Sequence, residues 1–128
     1  MRCPPHVPGN CDSASSTGRL FGPGPRPDLA ARAVTPDVTV LCSGDSGPIV
    51  GITQYKEKIA RLLHRVPDLR REAINHADNG EVLFVEWIAR GTGAHEPFEF
   101  SGIDRIRLRD GLIKEHRIYY DPAWLNLL

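Results

Sequence analysis

Asp104 and His116 are the residues of this chain whose types and spacing bear most directly on chemistry. Both fall in the stretch Phe98 to Asp121, six residues to either side of Asp110. Asp104 stands where an apolar strand would carry an apolar side chain. A carboxyl group in such a place must be paired, protonated or open to a water-filled cavity. Burial would raise its pKa, whereas a nearby imidazolium would lower it. If the two side chains meet, they form an acid–base pair, and such a pair supplies roughly 10²–10⁴-fold in a proton-transfer step. The same contact would also serve as a structural hydrogen bond pinning two strands. Both readings stay open at this level.

Whether they meet depends on the turn between them. Residues 98–108 and 112–120 alternate as two strands joined at Asp110-Gly111. A two-residue type I′ turn sets Asp104 opposite Arg117, whereas a type I turn with Gly111 as a bulge sets it opposite His116. A one-residue slip exchanges the faces, so the pattern discriminates. With the bulge, Asp104, Ile106, Leu108, Leu112, Lys114, His116, Ile118 and Tyr120 share one face. Ile103, Arg105, Arg107, Ile113, Glu115, Arg117 and Tyr119 share the other. That split separates apolar from charged side chains, and the two-residue turn mixes them. The bulged turn is therefore expected, with Asp104 and His116 as cross-strand neighbours on the apolar face. Arg105, Arg107, Arg109 and Arg117 read as a solvated outer face, not a phosphate site.

The elements upstream follow from periodicity. Residues 1–27 hold six of the eleven prolines and four of the twelve glycines. Such a composition cannot bury enough apolar surface to offset its ordering entropy, so this segment is expected to be disordered or atypical. The domain proper is placed at 28–128. Residues 28–34 are a short helical candidate stopped by Pro36, and Val38 to Cys42 alternate as a strand. Ile52, Tyr55, Ile59, Leu62, Leu63 and Val66 recur at helical spacing between Gly51 and Pro67. Strands are expected at 69–76 and 81–90, separated by a turn at Asp78-Asn79-Gly80. Asp121-Pro122 offers an N-cap and first position for a terminal turn holding Trp124. Helices first and antiparallel strands later make an α+β layer fold.

Bulk composition excludes several partners. Sixteen basic and sixteen acidic side chains cancel, so no net field draws the chain to nucleic acid or anionic lipid. The length suits one domain. No apolar run approaches the ~18 residues of a membrane helix. Three cysteines without a secretory apolar segment do not make a disulfide framework, and Cys3, His6 and Cys11 match no zinc spacing. Neither a metal nor a cofactor is expected, and a reducing cytoplasm is the expected compartment.

Two segments resemble the nuclear transport factor 2-like (NTF2-like) superfamily, and within it the SnoaL-like and steroid Δ-isomerase-like proteins. One is DVTVLCSGDSGPIVG at 37–51, followed at once by a helix. The other is GIDRIRLRDGLIKEHRIYYD at 102–121, similar to the family's closing hairpin. The resemblance, with the strand at 81–90, covers residues 28–128. It implies an NTF2-like (cystatin-like) cone: a strongly curved, antiparallel-rich sheet wrapped around N-terminal helices, with an internal apolar cavity. The implied wall comprises Phe84, Glu86, Ile88, Asp104, Ile106, His116, Ile118 and Tyr120, closed by Cys42, Tyr55 and Ile59. The regular first helix of the family is missing or replaced by the Pro/Gly-rich segment.

The catalytic sets of the family map incompletely. Ketosteroid isomerases use an Asp base with a Tyr and a protonated Asp as oxyanion donors. Asp104 is similar to that protonated Asp, but the base position falls on Cys42, whose thiol has an ordinary pKa of about 8.5 and is a poor base when buried. The Arg and two Asp of epoxide-hydrolase relatives fall on Glu86, Ile88 and Ile118. Polyketide-cyclase relatives need one acid–base group, which Asp104 with His116 would supply. The resemblance thus implies a small hydrophobic or carbonyl-containing partner. It leaves open an isomerase-, cyclase- or hydrolase-type enzyme, a non-catalytic ligand-binding domain, or a purely structural copy. A homodimer through the outer sheet face, where Trp87, Ile103, Ile113 and Tyr119 sit among charges, is compatible with each.

Overall fold

The computed structural model describes residues 31–127, so the segment 1–27, with Cys3, His6 and Cys11, lies outside the described residues. The chain runs β1 (Val34–Cys42), β2 (Ile49–Val50), α1 (Ile52–Arg65), β3 (Arg70–Asp78), β4 (Val82–Thr92), β5 (Pro97–Arg109), β6 (Leu112–Tyr119) and a 3₁₀ turn (Pro122–Leu127). The six strands form one sheet in the order β2-β1-β6-β5-β4-β3. The sheet is mixed. Strands β3 to β6 are an antiparallel meander, and β6 then lies parallel to β1. The helix carries the chain from β1 to the far edge, and the meander returns it.

Helix α1 forms where its apolar spacing predicts. Gly51 starts it at φ 94°, a conformation that suits glycine, and the Gly51 N–H donates to the Val38 carbonyl at 2.8 Å. The Val66 N–H closes it on the Leu62 carbonyl, and Pro67 cannot continue it. Tyr55 is buried and belongs to the same core cluster as Val38, Val40, Cys42, Val85 and Trp87. No helix among the described residues is long and apolar enough to cross a membrane.

Strand β1 begins four residues before the expected start at Val38. Of the helical candidate at 28–34, residues 28–30 lie outside the described residues. Ala31 is helical, Arg32 and Ala33 turn, and Val34 is already in the strand. Pro36 is accommodated because the β1–β6 register shifts between Val34 and Thr39, which leaves it at an irregularity with no ladder bond to lose.

The hairpin differs from expectation in an instructive way. Asp110 (φ 53°) and Gly111 (φ 79°) both have positive φ, so the connection is a two-residue type I′ turn flanked by the pair Arg109–Leu112. The extra residue sits inside β6 instead. Leu108 pairs with Ile113, but Arg107 pairs with Glu115, which leaves Lys114 as the bulge. Asp104 therefore faces Ile118, and His116 faces Ile106. The face carrying Asp104, Ile106, His116 and Ile118 is as expected. Leu112, Ile113 and Lys114 exchange roles: Ile113 is fully buried and Lys114 exposed.

Candidate functional site

Asp104 and His116 are almost wholly shielded from solvent, at 0 % and 1 % exposure. His116 Nε2 lies 2.6 Å from Asp104 Oδ2. The other carboxylate oxygen accepts a hydrogen bond of 2.8 Å from the Trp87 indole N–H. Arg71 Nη1 stands 3.8 Å from Oδ2 and its guanidinium lies 5.4 Å over the Trp87 ring. Burial alone would raise the Asp104 pKa. The charge and hydrogen bond of His116, the Arg71 charge and the Trp87 donor outweigh it, and the carboxyl is held below its ordinary value. Asp104 is thus an ionised acceptor, not a protonated donor of the ketosteroid-isomerase kind.

An ionised carboxylate can only accept, so the proton between the pair belongs to Nε2. His116 Nδ1 has no hydrogen-bond partner among the described residues. A buried polar atom without a partner costs about 1–3 kcal/mol, so its persistence calls for a reason.

His116 borders a pocket of about 330 Å³ between α1 and the inner sheet face. Cys42 from β1, Tyr55 and Ile59 from α1, and Ile118 and Tyr120 from the end of β6 line it too. Trp87 and Phe100 contribute an aromatic wall beside Ala89, with Phe100 stacked at 5.5 Å on Trp124 and edge-on at 5.8 Å to Trp87. The Tyr55 and His116 ring centroids are 6.5 Å apart. Burial pushes the Cys42 thiol up to about 11, and desolvation raises both tyrosines, Tyr120 to about 12. None of the three is a base at neutral pH. Ile106 is fully buried beneath the pair and does not line the pocket.

Phe84, Glu86 and Ile88 do not face the pocket. Val85 is the β4 residue opposite Asp104, so Leu83, Val85, Trp87 and Ala89 point inward and the intervening residues outward. Phe84 is 42 % exposed on that outer face. For the same reason Trp87, expected outside, is at the site, and Ile113 is in the core. The β4 sequence is apolar at both parities, which hides the phase. Glu86 and Arg90 share one parity and mark the outer side. Gly102 gives a second clue, because a glycine inside a strand marks a close approach. A Cβ there would strike the Trp87 ring and lie 2.6 Å from the Tyr119 carbonyl oxygen. Arg71 had no such signal, since β3 opens on three consecutive charged residues, Arg70, Arg71 and Glu72, and carries no apolar stripe.

A sheet of this order with one helix against its inner face, and a polar group on that face, defines an α+β domain of the NTF2-like, ketosteroid-isomerase-like class. The chain belongs to the SnoaL-like domain family, which matches residues 24–116. No curated protein matches the sequence. Solved structures do. A SnoaL-like polyketide cyclase candidate from Jannaschia sp. CCS1 superposes with TM-score 0.81 at 18% identity, over 98% of this chain and 95% of that one. TerC, co-crystallised with polyporic acid, gives 0.78 at 16% identity, over 91% and 97%. A ketosteroid-isomerase-like protein from Catenulispora acidiphila, in complex with trimethylamine, gives 0.76 at 18%, over 87% and 86%. At these identities the likeness is one of fold.

Proposed function

We propose that the pocket, closed into a cone by the curvature of the sheet, holds a small, largely apolar, carbonyl-containing molecule, and that His116 moves a proton on it. The observation that carries this reading is the His116–Asp104 contact beside a ring nitrogen without a partner. Asp104 fixes the tautomer and orients the ring through Nε2. In the neutral form of the ring, that leaves a lone pair on Nδ1, which removes a proton from the carbon next to the carbonyl. The imidazolium that forms is stabilised by the Asp104 carboxylate and returns the proton to carbon or oxygen. Isomerisation and aldol-type ring closure share that first step. Asp104 is then a positioning residue, and the base role that the resemblance places on Cys42 passes to His116.

Two features support this assignment over a base at Cys42. The thiol is held protonated by burial, and His116 is the titratable ring that borders the pocket with a nitrogen to spare. The reading also includes a homodimer through the outer sheet face, favoured by the exposure of Phe84, Ile103 and Tyr119 there.

The test is hydrogen–deuterium exchange at the α-carbon of 2-tetralone in D₂O, followed by proton NMR. Wild-type protein should accelerate exchange over buffer, and His116→Gln should lose about 100-fold or more of that acceleration. Exchange no faster than buffer, or unchanged in His116→Gln, would sink the catalytic reading.

A further inference from the structure

We infer that the ligand of this pocket is an organic anion, a small apolar acid whose carboxylate sits against Arg61 and Arg65 while its ring system lies between α1 and the sheet. This rests on the pocket being a ligand site, not on the proton transfer proposed for His116.

The charge of the lining carries the inference. Every charged side chain that lines the pocket among the described residues is basic: Lys58, Arg61, Arg65 and Arg71. Two of these are compensated, Arg71 by Asp104 at 3.8 Å and Lys58 by Asp45 at 3.3 Å. Arg61 and Arg65 form no ion pair with any described acidic residue. The excess is local, because the chain as a whole has a formal net charge of +0. It cannot be put down to a generally basic surface.

Helical geometry explains the placement. Positions 58, 61 and 65 follow one another at three- and four-residue spacing, so their side chains form a ridge along one flank of α1. That flank adjoins the stripe of Tyr55, Ile59 and Leu62, which supplies the apolar floor. A ligand lying on the stripe presents its edge to the ridge. A neutral edge gains little there. A carboxylate gains charge-assisted hydrogen bonds, which the planar guanidinium can make in pairs. Such a bond strengthens as the ligand body excludes water from the mouth. The volume of about 330 Å³ lies at the low end of the roughly 300–1,000 Å³ typical of ligand pockets. It suits a ligand of about one or two rings.

Orientation follows from the same layout. His116, deep in the pocket, and the two arginines on the flank of α1 are contributed by opposite walls. A carboxylate held by the arginines points the remainder of the molecule toward the wall that His116 contributes. The cations therefore select the ligand and fix which end enters first.

The experiment compares 2-naphthoate with its neutral isostere 2-naphthamide, using the full chain and following tryptophan fluorescence and the heat of binding. In about 20 mM salt the acid should bind at least tenfold tighter than the amide, and that preference should shrink as salt rises. Arg61→Gln/Arg65→Gln should bring the two affinities within about threefold while leaving the amide unchanged. Both arginines are exposed, and circular dichroism checks that the variant folds. Equal affinities in wild type would overturn anion recognition while leaving the ligand pocket standing. A preference that survives in the double variant would overturn the assignment to these arginines. Binding of neither compound would remove the pocket reading and this inference with it.

Discussion

His116 and Asp104 meet at 2.6 Å although they are not cross-strand partners. Asp104 faces Ile118 and His116 faces Ile106, so the contact runs on the diagonal between adjacent pairs of one face. A diagonal contact suits two side chains of unequal length, because the imidazole reaches back along the strand to the short carboxylate. It also depends on the bulge at Lys114. Without that extra residue β6 would turn His116 to the outer face, among Arg105 and Arg107.

Asp104→Asn keeps the shape and removes the charge. It leaves His116 and Arg71 without their carboxylate in a buried site, where loss of one partner costs about 3–5 kcal/mol. Because the amide can still accept from Trp87, a loss of about 3 kcal/mol is expected in urea unfolding. A loss under about 1 kcal/mol would mean that the pair contributes little to the fold.

Acid should unfold the wild type more steeply than this variant. The Asp104 carboxyl is held below its ordinary value in the folded state. On acidification the unfolded chain therefore takes up the proton first. The contribution is complete above about pH 5 and is lost as the pH falls through about 4 toward the folded value. Urea midpoints from pH 6 down to 3 should fall in wild type and fall less in Asp104→Asn. The difference cancels Asp37 and Asp68, whose carboxyls are also lowered but are exposed. Parallel curves would remove Asp104 from the acid response.

Gly102→Ala should be poorly tolerated. Its new methyl would meet both the Trp87 ring and the Tyr119 carbonyl oxygen. The ring could shift only by giving up its bond to Asp104, and the backbone oxygen cannot move without disturbing β6. Overpacking of this kind costs about 1–3 kcal/mol. Calorimetry would show a lowered melting temperature, and tryptophan fluorescence a changed Trp87 environment. An unchanged melting temperature would contradict this packing.

Cys42 should be a sluggish thiol. Burial pushes it up to about 11, against an ordinary value of about 8.5. In a Cys3→Ser/Cys11→Ser background, iodoacetamide at pH 8 should alkylate it about 100-fold or more slowly than free cysteine. Rapid alkylation of folded protein would reopen Cys42 as a base or nucleophile.

The outer face gives a test of assembly. Ile103 is 42 % exposed and sits opposite Tyr119, which is 40 % exposed. If this patch joins two copies, wild-type protein sediments as a dimer and Ile103→Asp as a monomer. A monomeric wild type at micromolar concentration would exclude it.

Local pattern carried far in this chain. Apolar spacing in 52–66, ended by Pro67, determined α1. Turn residues at 78–80 and 110–111 determined where the meander folds back. The separation of charged from apolar side chains put Asp104, Ile106, His116 and Ile118 on one face, and it did so despite the wrong turn type. The reason is that burial acts on the whole face, whatever local device sets the register. Two things lay beyond local pattern. The phase of β4 is degenerate in the sequence, since Phe84 and Ile88 are as apolar as Val85 and Trp87, and only pairing with β5 breaks the tie. The bulge at Lys114 is set by β1, whose Val34 pairs with Ile113 and draws it into the core. Side chains that meet from separate strands are a property of the assembled sheet. So the sequence by itself determined which two residues could do chemistry and the elements that hold them. Only the tertiary structure decided that Trp87 and Arg71 complete the Asp104 shell, that His116 has a nitrogen left over, and that Arg61 and Arg65 stand at the pocket, because each of these joins distant parts of the chain through packing that no local window contains.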